Sequence, residues 1–283
     1  MIAIAKRNIK IFFRDKMNVF FSMLVSIITL GIYVLFLGDN LSRGMDFPNA
    51  QAVMDKWIMA GILATTSLTT TLGAFGLVVR DRASKIDKDF LATPISTEKR
   101  VAGYTLGTFA VGLIMTVFTL VIAQVYIYLN GGSLFTMIEF VKILSVTVLA
   151  VLSSTAMMYL IVELFTSEMA FETAASVISS IVGFLVGVYI PLGVLPTFVQ
   201  YIGIAFPVTH SASLLRQVMM RTEITTAFSG APQEAIEGFE LVMGNILQVG
   251  ETIIPVWGSI VYLLLTTVLF YSAAVLLSRR KKK

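Results

Sequence analysis

The residues best placed to do chemistry lie in one interval, VRDRASKIDKDFLATPISTEKRVAGY at positions 79–104, the longest charged stretch between apolar runs. What it offers is docking rather than catalysis. Residues 80–91 can form a short helix in which Ile86 and Phe90, four apart, share a face ringed by charge. Thr93-Pro94 ends that helix, because proline disfavours helical geometry at the residue before it. Ser96 can cap the next helix, with Glu98 in its first turn, where the dipole favours a carboxylate. The product is an apolar knob with a polar rim, shaped to seat in a groove on a cytosolic partner. A solvated connector carrying a surface helix is the plainer reading of the same residues.

Other reactive constellations are absent from the sequence. There is no G-x-x-x-x-G-K-[ST] phosphate loop, no H-E-x-x-H and no G-x-S-x-G. With no cysteine and a single histidine, His210, no metal site is expected, and none of the residues is read as catalytic. His210 reads as a polar residue opening a helix near the membrane interface. Glu163, Glu168 and Glu172 fall near span ends, where water is at hand, and no ion-coupling carboxylate is apparent at the bilayer midplane.

The elements that must position the 79–104 interval follow from composition. The 283 residues are 57% hydrophobic and only 13% charged, with a mean hydropathy of +0.86. Soluble domains run near 45–50% apolar and about 25% charged, so the chain is an all-α integral membrane protein. Sixteen of the 21 Lys/Arg sit in residues 6–16, 80–100 and 279–283, a distribution that belongs to membrane orientation and gives no sign of nucleic acid. Six spans are expected, at about 18–37, 57–79, 101–129, 141–162, 172–190 and 254–277, each close to the roughly 20 residues a bilayer requires. The basic clusters place both termini and the 80–100 loop in the cytosol of a cell membrane. The loop 163–171, with Glu163 and Glu168 and no Lys or Arg, is silent on orientation.

Residues 1–17 read as an interfacial helix. Ile2, Ala5, Ile9, Phe12 and Phe13 share one arc, and Lys6, Arg7, Lys10 and Arg14 the adjacent one. The second span carries Thr65, Thr66, Ser67, Thr69, Thr70 and Thr71, whose hydroxyls suit interhelical packing first and a polar path second. Gly103-x-x-x-Gly107 and Gly183-x-x-x-Gly187 permit close helix approach. Residues 191–221 are apolar but broken by Pro191, Pro196 and Pro207, which fits a pair of half-helices dipping into the outer leaflet, with Arg216 near the headgroups. Residues 232–247 can form an amphipathic surface helix packing through Ile236, Phe239, Leu241 and Met243.

This ordered set resembles the type 2 ABC transporter permease family, the exporter permeases with six spans per subunit. The likeness lies in the amphipathic helix at 1–17, in Leu91-Ala92-Thr93-Pro94-Ile95-Ser96 after a charged helix, and in P-L-G-V-L-P followed by Ala205-Phe206-Pro207 and Leu214-Leu215-Arg216. Members often carry Glu-Arg-Glu-Arg-Gly before the coupling helix, where this chain has Arg80-Asp81-Arg82-Ala83-Ser84. The resemblance implies a single transmembrane permease domain over residues 1–283 with a cytosolic coupling helix and an outer re-entrant hairpin. It implies a cytosolic ATP-binding cassette subunit that holds ATP and Mg, with no cofactor on this chain. It also implies a second permease subunit, the same or homologous, within membrane lipid. Arg82, Lys85, Ile86, Phe90, Leu91 and Pro94 would meet the ATPase; Thr66, Thr70 and Phe184 would line the pathway; Pro191, Leu195, Pro196 and Pro207 would form the outer gate. The expected activity is export of an amphipathic drug, peptide or lipid-like molecule, and the alternative is a gradient-driven carrier or channel with no ATPase.

Overall fold

The N-terminal helix α1 (Ile2–Arg14) buries Ile4, Ala5, Asn8 and Phe12, one face at helical spacing, and ends where Asp15 takes over as N-cap of the next helix by accepting the Asn18 N–H. The computed structural model describes residues 1–37, 45, 47–86 and 95–280. Among these, six helices are long and apolar enough to cross a membrane. They are α2 (Lys16–Ile32), prolonged by π turns at Tyr33–Leu37; α3 (Ala50–Ala83); α4 (Thr97–Leu129); α5 (Met137–Val162); α6 (Glu168–Leu185); and α11 (Val256–Arg280). The protein is an all-α integral membrane protein.

Local sequence explains where the spans begin. Ser96 caps α4, Thr136 and Glu139 form a reciprocal capping box on α5, and Ser167 caps α6. Between α6 and α11 the chain breaks repeatedly. A 3-10 turn (Leu192–Val194) follows Pro191, α7 (Thr197–Ala205) follows Pro196, and α8 (Pro207–Met219) starts on Pro207 after a 90° bend. Pro191 and Pro196 stand at N-cap positions and Pro207 at the first helical position, where a missing N–H costs no helical hydrogen bond, so each break can be followed by a new helix. Short α9 (Arg221–Ala227) and α10 (Gln233–Met243) follow, then a two-stranded hairpin pairing Leu247–Val249 with Thr252–Ile254. The strands are a feature that the sequence reading did not anticipate.

Helix α3 is the axis of the bundle. Its side chains from Val53 to Phe75 are largely buried against α4, α5, α6 and α8, whereas α2, α6 and α11 leave most of their surface outward. The start of the chain and the last described residues, up to Arg280, lie at one end of the bundle, which we call the base. There α1 packs on the start of α4, and Arg279 at the end of α11 pairs with Glu98 at 2.7 Å. The broken helices and the strand hairpin occupy the opposite end.

The two GxxxG motifs do different things. An added Cβ on Gly103 would sit 2.9 Å from Ile4 Cβ and 2.9 Å from the Met1 carbonyl, and one on Gly107 3.0 Å from Asn8 Cβ. This motif is the seat of α1, not a contact between spans. Gly183 leaves room for the ring of Tyr189, and Gly187, at φ +71, turns the chain out of α6 with a geometry that a side chain rarely adopts.

Candidate functional site

At the base, three helices meet on one carboxylate. Asp81, in the last turn of α3 and only 2% exposed, accepts a bidentate pair from Arg7 of α1, Nη1 to Oδ2 at 2.8 Å and Nη2 to Oδ1 at 2.9 Å. Tyr104 of α4 donates its hydroxyl to the same Oδ2 at 2.6 Å. Charge-assisted, forked hydrogen bonds of this kind fix geometry as well as contribute energy. The Arg7 guanidinium is pushed above its usual pKa, chiefly by its hydrogen bond to Asp81.

A second knot lies one residue on. Arg82 donates to Glu163 at the end of α5 at 2.5 Å and to the carbonyls of Val162 and Phe165 at 3.0 and 3.2 Å. Arg80, on the open side, pairs with Glu168 of α6 at 3.2 Å. Residues 80–82 therefore belong to the last turns of α3 and do not open a separate helix, because each of the three finds a partner on a different neighbouring helix. Glu163, expected in water, is 1% exposed, since the α5–α6 turn folds it under Arg82.

Beyond that knot the chain turns at Ser84 and Lys85, the latter in the left-handed region at φ 61, and Ile86 stands 36% exposed. Of the residues expected to meet an ATPase, Arg82 is spent inside the chain, and Lys85 and Ile86 face outward. Phe90, Leu91 and Pro94 lie outside the described residues.

Above the knots is a cavity of about 560 Å³. Its walls are α1 and the first turns of α2 on one side and the start of α6 on the other, and α3 and α4 form its floor. Thr66 and Thr70 are not on it. Both are buried: the Thr66 hydroxyl donates to Ile62 O at 2.7 Å and meets Ser26 Oγ, and Thr70 bonds Thr66 O. In this conformation these hydroxyls pack helices. Phe184 is half exposed on α6 and edge-on to Tyr189.

At the far end, Pro191, Leu195, Pro196 and Pro207 frame the broken helices, and two corrections arise there. Arg216, expected near the headgroups, is wholly buried: the 90° bend sends α8 back into the bundle, so its guanidinium lies 4.9 Å over Trp57 and donates to Gly187 O at 2.7 Å and Gly244 O at 3.4 Å. No carboxylate pairs with it among the described residues. His210, expected at an interface, is 2% exposed, bridging Ser259 Oγ at 3.0 Å and Ile204 O at 2.8 Å while stacked on Tyr262. Both rings thereby join the broken helix to α11.

Sequence reasoning missed the partners rather than the charges. Asp55 receives Tyr33 at 2.8 Å, and Lys56 pairs with Glu223 at 2.5 Å, both just ahead of where the second span was expected to start. Asp-Lys-Trp at the lip of an apolar run is a signal that the helix extends outward with its charges folded in. Among the described residues no group of three metal-ligating side chains occurs.

Six spans, an amphipathic helix locked to their base and a proline-broken helix at the other end define a membrane-embedded permease with no catalytic constellation among its described residues. The model of the ABC-2 type transporter family matches residues 1–220, from α1 through α8, and the chain belongs to that family. A search of curated proteins finds no match. The chain is therefore a multi-pass permease subunit of an ABC transporter. Membership implies an ATP-binding cassette partner and a dimeric arrangement, the ATPase residing on the partner.

Proposed function

We propose that this chain is the permease of an ATP-driven exporter in the cell membrane, with its base and both termini in the cytosol. Two copies, or this chain and a homologue, enclose the pathway, and a separate subunit hydrolyses ATP with Mg. Among the described residues, the basic side chains of 6–16, 80–85, 99–100 and 279–280 all lie at the base, the side on which Lys and Arg accumulate in membrane proteins.

The observation that carries this reading is the double knot. Arg7–Asp81–Tyr104 and Arg82–Glu163 join α1, α3, α4 and α5 at the point where the chain leaves α3 for residues 84–96. A push on that connection by an ATPase moves four helices together as near-rigid bodies, which is how small displacements become a gate movement. The exposed Ile86, with Phe90 one turn on in the sequence, supplies the apolar contact to the ATPase. The broken α7–α8 pair forms the gate at the far side, and the substrate is amphipathic.

The test is Ile86→Asp and Phe90→Asp in the complete transporter. A carboxylate forced into an apolar groove is costly, so both variants insert normally yet lose transport and substrate-stimulated ATP hydrolysis. Normal coupled transport by both would refute the coupling assignment. Failure of any ATPase to copurify with an active chain would refute the ATP-driven reading itself.

A further inference from the structure

We propose that the cavity at the base binds an amphipathic organic cation, the substrate class of the permease; the idea rests on the exporter reading and names its cargo. At about 560 Å³ the space lies within the range of small-molecule sites, about 300–1,000 Å³. It is kept open by a missing side chain: an added Cβ on Gly73 would find its nearest neighbour, Ser22 Oγ, only at 4.0 Å.

Charge sets the sign of the ligand. Three carboxylates line the cavity, Asp15, Glu168 and Glu172, against one guanidinium, Arg80. Arg80 is already paired with Glu168, which leaves Asp15 and Glu172 with no ion-pair partner among the described residues. Asp15 only accepts the Asn18 N–H at 3.1 Å, and its sequence neighbours Arg14 and Lys16 do not line the space. An anion would meet two uncompensated carboxylates; a cation would meet two partners.

The remaining walls suit the rest of such a molecule. Phe12, Phe21 and Phe171 offer apolar area and ring faces that attract a cation. Thr108, 3% exposed, lines the cavity with a hydroxyl that has no hydrogen-bond partner among the described residues. Asn8, 6% exposed, accepts from Arg7 at 3.3 Å, and its amide N–H groups are likewise unengaged there. Neither atom is sealed away from the open space, so a carbonyl, ether or hydroxyl on a bound molecule can bond to both. Acid, aromatic and unpaired polar groups thus converge on one space walled by five helices.

The experiment uses the full-length chain with its ATPase in nanodiscs of zwitterionic lipid. Binding of tetraphenylphosphonium is compared with that of the matched anion tetraphenylborate, each above empty discs. The cation binds at least about tenfold tighter. Asp15→Asn, which keeps an N-cap, and Glu172→Gln each weaken cation binding about five- to tenfold, and the pair together ~50-fold. Gly73→Phe fills the space and abolishes binding, whereas Gly31→Val, whose added Cβ meets nothing within 4 Å, leaves it intact. Equal binding of the two ions, indifference to the neutralised carboxylates, or no cation binding by a chain that still assembles with its ATPase each overturns the proposal. A chain that binds the cation in the charge-dependent way but recruits no ATPase upholds the site and refutes the exporter reading instead.

Discussion

Replacing Arg7 with methionine isolates the clamp that holds α1 to the bundle. The substitution keeps an apolar stem and removes two hydrogen bonds of 2.8 and 2.9 Å from Asp81, whose side chain is 2% exposed. Stripping the partner from a buried carboxylate costs about 3–5 kcal/mol. Here Tyr104 still donates at 2.6 Å, and Arg7 is itself 30% exposed, so water can reach the gap. The expected loss is therefore about 2–3 kcal/mol. An undocked α1 can rest its apolar face among lipid headgroups, so this energy appears as undocking and not as collapse of the spans. The native chain has no cysteine, which makes a single Ala5→Cys reporter clean. Ala5 is 4% exposed in the docked state. At 1.4 kcal/mol per factor of ten, its maleimide labelling rate rises ~30- to 150-fold in Arg7→Met. Asp81→Asn alone raises it less, because a partly exposed arginine is solvated when its partner goes. The double variant falls short of the product of the singles by a coupling of about 2 kcal/mol. Labelling within twofold of the parent in Arg7→Met, or strict additivity, would refute the clamp.

Two further outcomes follow from packing. Gly103→Val places a Cβ 2.9 Å from the Met1 carbonyl, where backbone must give way, and α1 undocks by about 1–3 kcal/mol in the same labelling assay. The control, Gly31→Val, meets nothing within 4 Å and leaves the rate unchanged; equal behaviour of the two would remove the close-approach argument. Arg216→Met leaves the Gly187 and Gly244 carbonyls without their donor, at about 1–3 kcal/mol each. The variant should show faster proteolysis of the 228–232 turn and altered Trp57 emission. Arg216→Lys rescues little, since a lysine cannot reproduce the fork over Trp57; unchanged proteolysis in Arg216→Met would show that the hairpin is held by other contacts.

Much of this protein is legible in its sequence because bilayer thickness and chain-local rules write it there. Six runs of span length, the caps at Ser96, Thr136 and Ser167 and the restarts after Pro191, Pro196 and Pro207 are each decided within a few residues. The amphipathic face of residues 2–14 likewise needs only helical periodicity to be seen. Even the length of α3 beyond its apolar core was hinted at by Asp55-Lys56-Trp57, although the span was expected to begin only at Trp57.

Only the tertiary structure decided what the charges do. Arg7 meets Asp81 from 74 positions away, Lys56 meets Glu223 from 167, and Gly103-x-x-x-Gly107 receives the N-terminal helix instead of another span. Arg82 looks in sequence like part of a solvated docking helix and is instead folded against Glu163. Arg216, in the same way, looks like a snorkelling residue and is buried on Trp57. The reason is physical. Whether a charge faces water or is buried depends on the dielectric and the partners around it, and distant segments supply both. Span placement needs only the chain's own hydrophobicity against a slab of fixed thickness.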